Sequence, residues 1–238
     1  MLKDLDGVPH AIQLLAAQAE GDENLEGLAI RWSKEKTKLL QRGGDHTRET
    51  DIEAAYEFAI AGPALQGGAQ QLLRILACLP AGFPEGDLEQ IFVSENLFRA
   101  LKEVKRAALV FKEVGRLRML APLREYVLRA HEAGAAELEL AHGYFLELAI
   151  SGNKLGGIGS NEIISHFTSE YANVRWALDW AIEVWDPRVI AAALGFGQFV
   201  RFRGLGDLDV LQRVQQVARG RGDVSGDAQC GALLGHLL

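Results

Sequence analysis

Apolar residues recur three or four positions apart along most of the chain, which is the spacing of one helix face. In the first such segment Ile12, Leu15 and Ala19 share a face, and Pro9 suits the first helical turn because proline has no N–H to donate there. The chain is therefore predicted to be mainly α. Helices are predicted over residues 8–20, 24–41, 50–61, 69–79, 85–92, 95–107, 122–129, 136–150, 170–184, 187–202, 208–219 and from 227 to the end.

The period changes near the middle of the chain, between the helices predicted at 95–107 and 122–129. Two short apolar runs, at 109–111 and 117–120, flank the segment EVGR of residues 113–116. This pattern predicts a small β-hairpin that turns at Gly115. Helices packed against one terminal hairpin describe a winged-helix domain, which is a variant of the helix-turn-helix class.

Glycines mark the boundaries of this predicted domain. The loop RGGDHT of residues 42–47 precedes it and Gly134 follows it, so Gly43, Gly44 and Gly134 are candidate hinges. Beyond Gly134 the pattern is helical again, and the last two helices carry small residues at packing spacing. Such a pair is typical of an antiparallel helix-pair repeat, although one unit does not establish a period.

Composition limits the compartment and the chemistry. The 238 residues are 48% hydrophobic and 24% charged, and no apolar run reaches the about 18–20 residues that span a bilayer. Cys78 lies inside the apolar helix segment LLRILACLP, which favours a reduced core thiol and a cytoplasmic location. The histidines are not clustered at ligand spacing, so no metal site is expected. Trp176 and Trp180, one helical turn apart, are expected in the core between paired helices.

One stretch is basic although the chain carries a net charge of −7. Between residues 99 and 129 three glutamates stand against a larger set of basic residues: Arg99, Lys102, Lys105, Arg106, Lys112, Arg116, Arg118, Arg124 and Arg129. An acidic chain argues against bulk nucleic-acid affinity, because phosphate binding depends on an excess of Lys and Arg. The local excess leaves a second interpretation, a winged-helix DNA-binding regulator whose recognition helix at 95–107 turns its basic residues outward.

Four segments resemble STAND ATPases, the class that holds the NB-ARC and apoptotic ATPases. LDGVPHAIQLLAAQ at 5–18 resembles their Gly-x-Pro-Leu-Ala motif, and RMLAPLREY at 118–126 resembles the segment after the wing. EYANVRWALDWA at 170–181 resembles the helix E-x-x-N-L-R-x-A-L-x-W-A at the entry to tetratricopeptide-like repeats, and GDVSGDAQCGALL at 222–234 resembles a repeat helix. The four occur in the family's order and at its spacing, in a style closest to fungal members.

The resemblance implies a role for the start of the first helix. In the family the Gly-x-Pro proline packs on the adenine of a bound nucleotide, so Gly7 and Pro9 are the implied nucleotide-binding residues, on the adenine side. The family also carries Met-His-Asp after the wing, whose histidine contacts the β-phosphate of ADP. Met119 keeps the methionine, but Leu120 and Ala121 replace the other two, and leucine cannot donate a hydrogen bond to phosphate. The phosphate contact is therefore not carried over.

The resemblance also divides the chain into segments. Residues 1–45 would be the helical tail of a nucleotide-binding module, 46–133 the winged-helix domain, 134–205 a helical linker domain and 206–238 the start of tetratricopeptide-like repeats. No G-x-x-x-x-G-K-[ST] loop occurs, and such a loop is needed to cradle phosphates. The chain is thus expected not to be an enzyme by itself and to hold no cofactor alone, although ADP or ATP is implied for an intact family protein.

The implied function is the regulatory and protein-interaction part of a signal-transducing STAND ATPase, a fragment that couples nucleotide state to a helical-repeat sensor. Its implied partners are proteins that bind the repeats, and the P-loop domain upstream in a parent protein. Neither nucleic acid nor a membrane is an expected partner. The DNA-binding regulator remains the alternative, and a truncated gene product without a function of its own is a third interpretation.

Overall fold

The computed structural model describes residues 9–20, 25–41, 48–63, 65–94 and 96–236. The chain forms two compact units: the first is Met1–Cys78 with Gly82–Glu137, and the second is Leu79–Ala81 with Leu138–Leu238. The described residues are mainly helical, as predicted. The division into 1–45, 46–133, 134–205 and 206–238 stays a prediction. The predictions for Gly7, Gly43 and Gly44 fall outside the described residues.

The first unit contains an apolar helix, α4, on which two other helices pack. Its α-helices are α1 (Pro9–Ala19), α2 (Glu26–Gln41), α3 (Arg48–Ile60), α4 (Gly68–Cys78), α5 (Leu97–Arg106) and α6 (Ala121–Ala130). Leu72, Leu73 and Ile75 of α4 are fully buried, and α4 contacts both α5 and α6. The helix predicted at 85–92 is instead a 3-10 helix, Glu85–Gln90. Gly86 lowers the α-helix propensity of that short segment, which favours the tighter form.

Three short strands of the first unit form an antiparallel sheet. They are β1 (Phe83–Pro84), β2 (Phe111–Glu113) and β3 (Arg116–Arg118), in the order β1–β3–β2. The predicted hairpin is present as β2 and β3, but the strand bounds predicted at 109–111 and 117–120 are wrong. Leu109 and Val110 are buried residues that anchor the hairpin before β2 begins. β1 was not predicted, because two residues are too few to show strand alternation.

The turn between β2 and β3 consists of Val114 and Gly115. Both have positive φ angles, 47° and 78°. Two-residue turns with two positive φ angles favour Asn-Gly, because a β-branched residue is strained in that conformation. Val114 is also 96% exposed, so no packing compensates for its strain.

The second unit is helical throughout its described residues. Its α-helices are α7 (Ala135–Ser151), which begins in the first unit, α8 (Ser160–Val184), α9 (Val189–Arg203), α10 (Asp209–Gly220) and α11 (Val224–Gly235). α8 begins ten residues before the predicted start at 170, directly after the glycine-rich loop. Phe167, in this added part, is fully buried. Although α8 has 25 residues, no helix in the described part is long and apolar enough to cross a membrane.

Candidate functional site

The start of α1 holds the nucleotide-binding residue implied by resemblance. Pro9 is the first residue of α1 and its side chain is exposed, so it is accessible to a ligand or a partner. The next residue fixes this end of the helix: His10 Nε2 lies 3.2 Å from the carbonyl oxygen of Ala108. The ring centroids of His10 and Tyr56 are 5.8 Å apart. The N-terminal turn of α1 is therefore attached both to α3 and to the segment that leads into β2.

A row of aromatic rings continues from α3 to α6. The ring centroids of Tyr56 and Tyr126 are 5.7 Å apart, and those of Tyr126 and His131 are 5.8 Å apart. The Tyr126 hydroxyl donates to Glu57 Oε2 at 2.7 Å, and His131 Nε2 lies 2.7 Å from the same oxygen. Burial, then the adjacent Glu57 carboxylate, raise the pKa of Tyr126 far above its ordinary value. The phenol therefore stays protonated and acts as a hydrogen-bond donor that ties α6 to α3.

The segment that replaces the family's Met-His-Asp lies at the start of α6. Leu120 is the residue before the helix and is 39% exposed. Arg118 forms an ion pair with Glu113, with Nε and Oε2 3.1 Å apart. The Nε atom of Arg124 is buried and has no acceptor within the described residues. No tyrosine, histidine or amide side chain stands at 119–121 to take over a phosphate contact.

The basic stretch is extensively paired with carboxylates. Glu85 binds two lysines, with Oε1 2.5 Å from Lys105 Nζ and Oε2 2.8 Å from Lys112 Nζ. Hydrogen bonds from these lysines lower the pKa of Glu85. Further ion pairs in this stretch are Arg99–Glu103, Arg106–Glu20, Arg118–Glu113 and Arg129–Glu53. Six of the nine basic residues that suggested DNA binding are therefore paired with acids of the same unit.

The predicted outward direction of the basic residues on α5 is only partly correct. Arg99, Lys102 and Arg106 are exposed, whereas Lys105 is half-buried because it reaches Glu85. Phe98 is 81% exposed on the same helix, which gives α5 an apolar element beside its charges. This surface thus combines exposed basic residues, of which Arg99 and Arg106 are ion-paired, with one large apolar side chain.

In the second unit, the motif at 170–181 forms a buried polar contact. Glu170 and Asn173 of α8 are both fully buried. Asn173 Nδ2 donates to Glu170 Oε2 at 2.7 Å, and the backbone N–H of Ala81 donates to Asn173 Oδ1 at 3.0 Å. Buried polar groups are costly unless they are paired, so these two side chains fix the segment 79–81 on α8.

The arginine of the same motif joins α8 to the start of α10. Arg175 Nη2 lies 2.8 Å from Asp209 Oδ2, and Arg175 also forms an ion pair with Asp207. The Tyr171 hydroxyl donates to Asp207. Burial opposes ionisation of Asp207, but the hydrogen bonds it accepts outweigh burial and lower its pKa. The arrangement positions the segment between α9 and α10.

The two tryptophans of the motif pack on one buried histidine. The His142 ring of α7 stacks on Trp176 with centroids 4.4 Å apart and on Trp180 with centroids 3.9 Å apart. Trp176 and Trp180 thus share a helix face that packs on α7, as predicted, but both are half-buried and do not belong to the buried core. Burial, partly offset by nearby Asp186, lowers the pKa of His142 to about 4. The histidine is neutral at physiological pH and has a packing role.

Thiol and metal chemistry have no support in the described residues. Cys78 and Cys230 are free and buried, and burial raises the pKa of each to about 11. A thiol with such a pKa is protonated and unreactive at neutral pH. No group of three His, Cys, Asp or Glu side chains in the part of the chain that the structure describes could hold a metal ion.

Comparisons with known proteins add no relative. No family model matches the chain, and no curated protein or solved structure matches it. The functional interpretation therefore depends on the residues and contacts of this chain. Sequence reasoning identified the residues of the α8 motif, but it did not identify His142, Asp207 and Asp209 as their partners. It also did not identify Glu85 as the partner of Lys105 and Lys112 in the first unit. Those side chains become recognisable only through contacts between distant parts of the sequence.

Proposed function

We propose that the chain is the regulatory and protein-interaction part of a signal-transducing STAND ATPase. In this proposal the first unit contains a winged-helix domain that responds to the nucleotide state, and the second unit begins a tetratricopeptide-like sensor that binds protein partners. The chain does not catalyse hydrolysis by itself, because it contributes no P-loop. Nucleotide would be held chiefly by an upstream P-loop domain, with Gly7 and Pro9 on the adenine side.

The observation that carries the winged-helix proposal is the order of elements in the first unit. The chain runs α4, β1, a 3-10 helix, α5, β2 and β3, and β3 lies between β1 and β2 in the sheet. A helical domain that closes with a two-stranded hairpin, packed on its own helices, is the arrangement that the term winged helix describes. α5 then takes the position of the recognition helix, and Val114 and Gly115 form the tip of the wing.

The coupling proposal draws on the contact at the start of α1. His10 joins the segment before β2, while Pro9 beside it remains exposed. A nucleotide that contacts Pro9 would therefore act on a turn that is directly bonded to the winged-helix domain. Rigid-body movement of packed domains is the common way in which such a contact is transmitted.

The sensor proposal draws on the packing of the last helices. α10 and α11 contact each other extensively and both contact α9. Asp223 caps α11 by accepting a hydrogen bond from the N–H of Gly226 at 2.9 Å. A helix pair joined by a short turn is the unit from which helical repeats are built, and the aspartate N-cap marks the start of its second helix.

The alternative, a winged-helix DNA-binding regulator, is supported by the exposed Arg99, Lys102 and Arg106 on α5. It is disfavoured because duplex binding depends on an excess of positive charge, whereas the chain is acidic and acids lie beside the arginines of α5. Fluorescence anisotropy with a labelled 20-base-pair duplex separates the two functions. We expect no micromolar binding at low salt; binding that weakens steeply as salt rises would favour the DNA-binding regulator.

The proposed function is tested on the natural gene product. A tag on the genomic copy allows the full product to be purified, its peptides to be mapped by mass spectrometry and its ADP affinity to be measured by calorimetry. We expect a P-loop upstream of this chain and micromolar ADP binding, whereas the present chain alone should bind ADP no more tightly than about millimolar. A product without a P-loop, or micromolar ADP binding by this chain alone, would contradict the proposal.

A further inference from the structure

A cavity of about 440 Å³ lies between the C-terminal end of α1 and the helices α2 and α5. Its polar lining consists of Gln18, Glu20, Arg31, Arg99, Glu103 and Arg106. Its volume is within the range of small-molecule sites. Gln18 lies nine residues along α1 from Pro9, which is about 13 Å at the rise of an α-helix. The cavity is therefore separate from the implied adenine contact.

Arg99 and Arg106, two of the arginines that line this cavity, have more donors than their protein partners use. Arg106 Nη2 lies 3.3 Å from Glu20 Oε2, and both side chains are more than half exposed. Arg99 Nε donates to Glu103 Oε1 at 2.7 Å. A guanidinium group has five N–H donors, and within the described residues these are the only acceptors recorded for Arg99 and Arg106. Most of their donors therefore remain available to a ligand.

Gln18 gives a second, independent indication of a ligand. The side chain is only 7% exposed, and its Nε2 atom has no hydrogen-bond acceptor in the part of the chain that the structure describes. A buried donor without an acceptor is unfavourable, and an apolar residue of the same size would avoid that cost. An amide at this position is accounted for if the side chain turns its shielded Nε2 atom toward a ligand oxygen in the cavity.

We propose that this cavity binds a hydroxylated phosphate monoester, such as a sugar phosphate. Guanidinium groups match phosphate oxygens in geometry and charge, so Arg99 and Arg106 bind the phosphate. Gln18 donates to a ligand oxygen, and the carboxylates of Glu20 and Glu103 accept hydrogen bonds from ligand hydroxyl groups. The proposal does not rest on the proposed ATPase function, because it uses no residue of the implied nucleotide site.

The test compares three probes by calorimetry and thermal unfolding at constant ionic strength. Glucose 6-phosphate should bind with a Kd of millimolar or better, inorganic phosphate should bind more weakly, and glucose should produce no shift. Arg106→Gln and Gln18→Met should each weaken glucose 6-phosphate binding at least tenfold. The control Arg118→Gln removes an arginine of similar exposure that pairs with Glu113 on the hairpin, and it should leave the affinity unchanged.

The same experiment gives outcomes that overturn the proposal. Equal effects of glucose 6-phosphate and glucose, or an unchanged affinity in Arg106→Gln, would show that no phosphate site exists here. Gln18→Met should keep or raise the melting temperature, because it removes an unpartnered donor. A Gln18→Met protein that fails to fold would mean that the amide is structural, which overturns its assigned role. Arg106→Gln, at an exposed position, still tests the phosphate contact in that case.

Discussion

Acidification should destabilise the second unit through one side chain, His142. The imidazole is 3% exposed and is stacked on Trp176 and Trp180. A charged imidazolium would lose its hydration there, and burial lowers the pKa of His142 from an ordinary 6.5 to about 4. The acidic side chain of Asp186 offsets only part of this effect.

The sign and size of the effect follow from proton linkage. Between pH 6.5 and pH 4 the unfolded chain binds a proton at His142 and the folded chain does not, so the free energy of unfolding falls as pH falls through this window. A tenfold change in proton affinity corresponds to about 1.4 kcal/mol. His142 should therefore lower the free energy of unfolding by about 3 kcal/mol between pH 7 and pH 4. Below pH 4 its contribution should level off.

Urea unfolding followed by tryptophan fluorescence measures this loss, because Trp176 and Trp180 report on the second unit. Other acids also respond to pH, so the wild-type protein is compared with His142→Phe and His142→Gln, which cannot titrate at this position. Between pH 7 and pH 4 the free energy of unfolding should fall less in both variants than in the wild type, because neither variant has the contribution of His142. The difference from the wild type should be the same for the two variants, although their stabilities at pH 7 differ. If the wild type and the two variants weaken in parallel from pH 7 to pH 4, His142 is not held neutral by its surroundings.

Three substitutions test the packing of the described residues. Val114→Asn should raise the free energy of unfolding by about 1 kcal/mol, since asparagine tolerates a positive φ angle and the replaced side chain is exposed. Arg175→Met should lower it by about 1–2 kcal/mol, because Asp207 loses its counterion in a partly buried site. Gly195→Ala should lower it by about 1–3 kcal/mol, because the added Cβ would lie 2.0 Å from the carbonyl oxygen of Ala149.

Urea unfolding monitored by circular dichroism provides these values, and two matched variants control for residue type. Arg203→Met removes an exposed arginine of α9 and should change the stability by no more than about 0.5 kcal/mol. Gly220→Ala adds a Cβ that meets no atom within 4 Å and should be neutral or stabilising. If Arg203→Met is as destabilising as Arg175→Met, the ion pair of Arg175 does not cause the loss of stability. If Gly220→Ala is as destabilising as Gly195→Ala, the close approach to Ala149 does not cause it. A Val114→Asn protein no more stable than the wild type would mean that the turn is unstrained.

The periodic parts of the sequence predicted much of the fold. The apolar spacing from Ile12 to Ala19 marks α1 within one residue at each end, and the change of period at Leu109 locates the hairpin. The first ten residues of α8 were missed, because serine, threonine and isoleucine have modest helix propensity and tertiary burial of Phe167 decides the conformation. The predicted strands at 109–111 and 117–120 differ from β2 and β3 because Leu109 and Val110, which are buried before β2 begins, are as apolar as strand residues.

The candidate sites were less predictable than the fold. Pro9 was singled out by resemblance to a motif, and its exposure at the start of α1 leaves that role open to experiment. Glu85, which binds lysines from two other segments, has no local signal because its partners are about 20 or more residues away in the chain. The cavity beside Gln18 is likewise assembled from helices that are distant in sequence. Local patterns carry no information on such contacts.

The central claim, that this chain forms part of a nucleotide-regulated STAND ATPase, is tested most directly by the ADP affinity of the natural gene product with Pro9→Ala. The account predicts a Kd at least about fivefold higher than that of the wild type, which corresponds to about 1 kcal/mol of lost contact. Pro187→Ala, at an exposed proline of the second unit, should leave the Kd unchanged. Equal affinities of the wild type and Pro9→Ala would contradict the assignment of Pro9 to the adenine side, and an absence of ADP binding in all three proteins would contradict the claim itself.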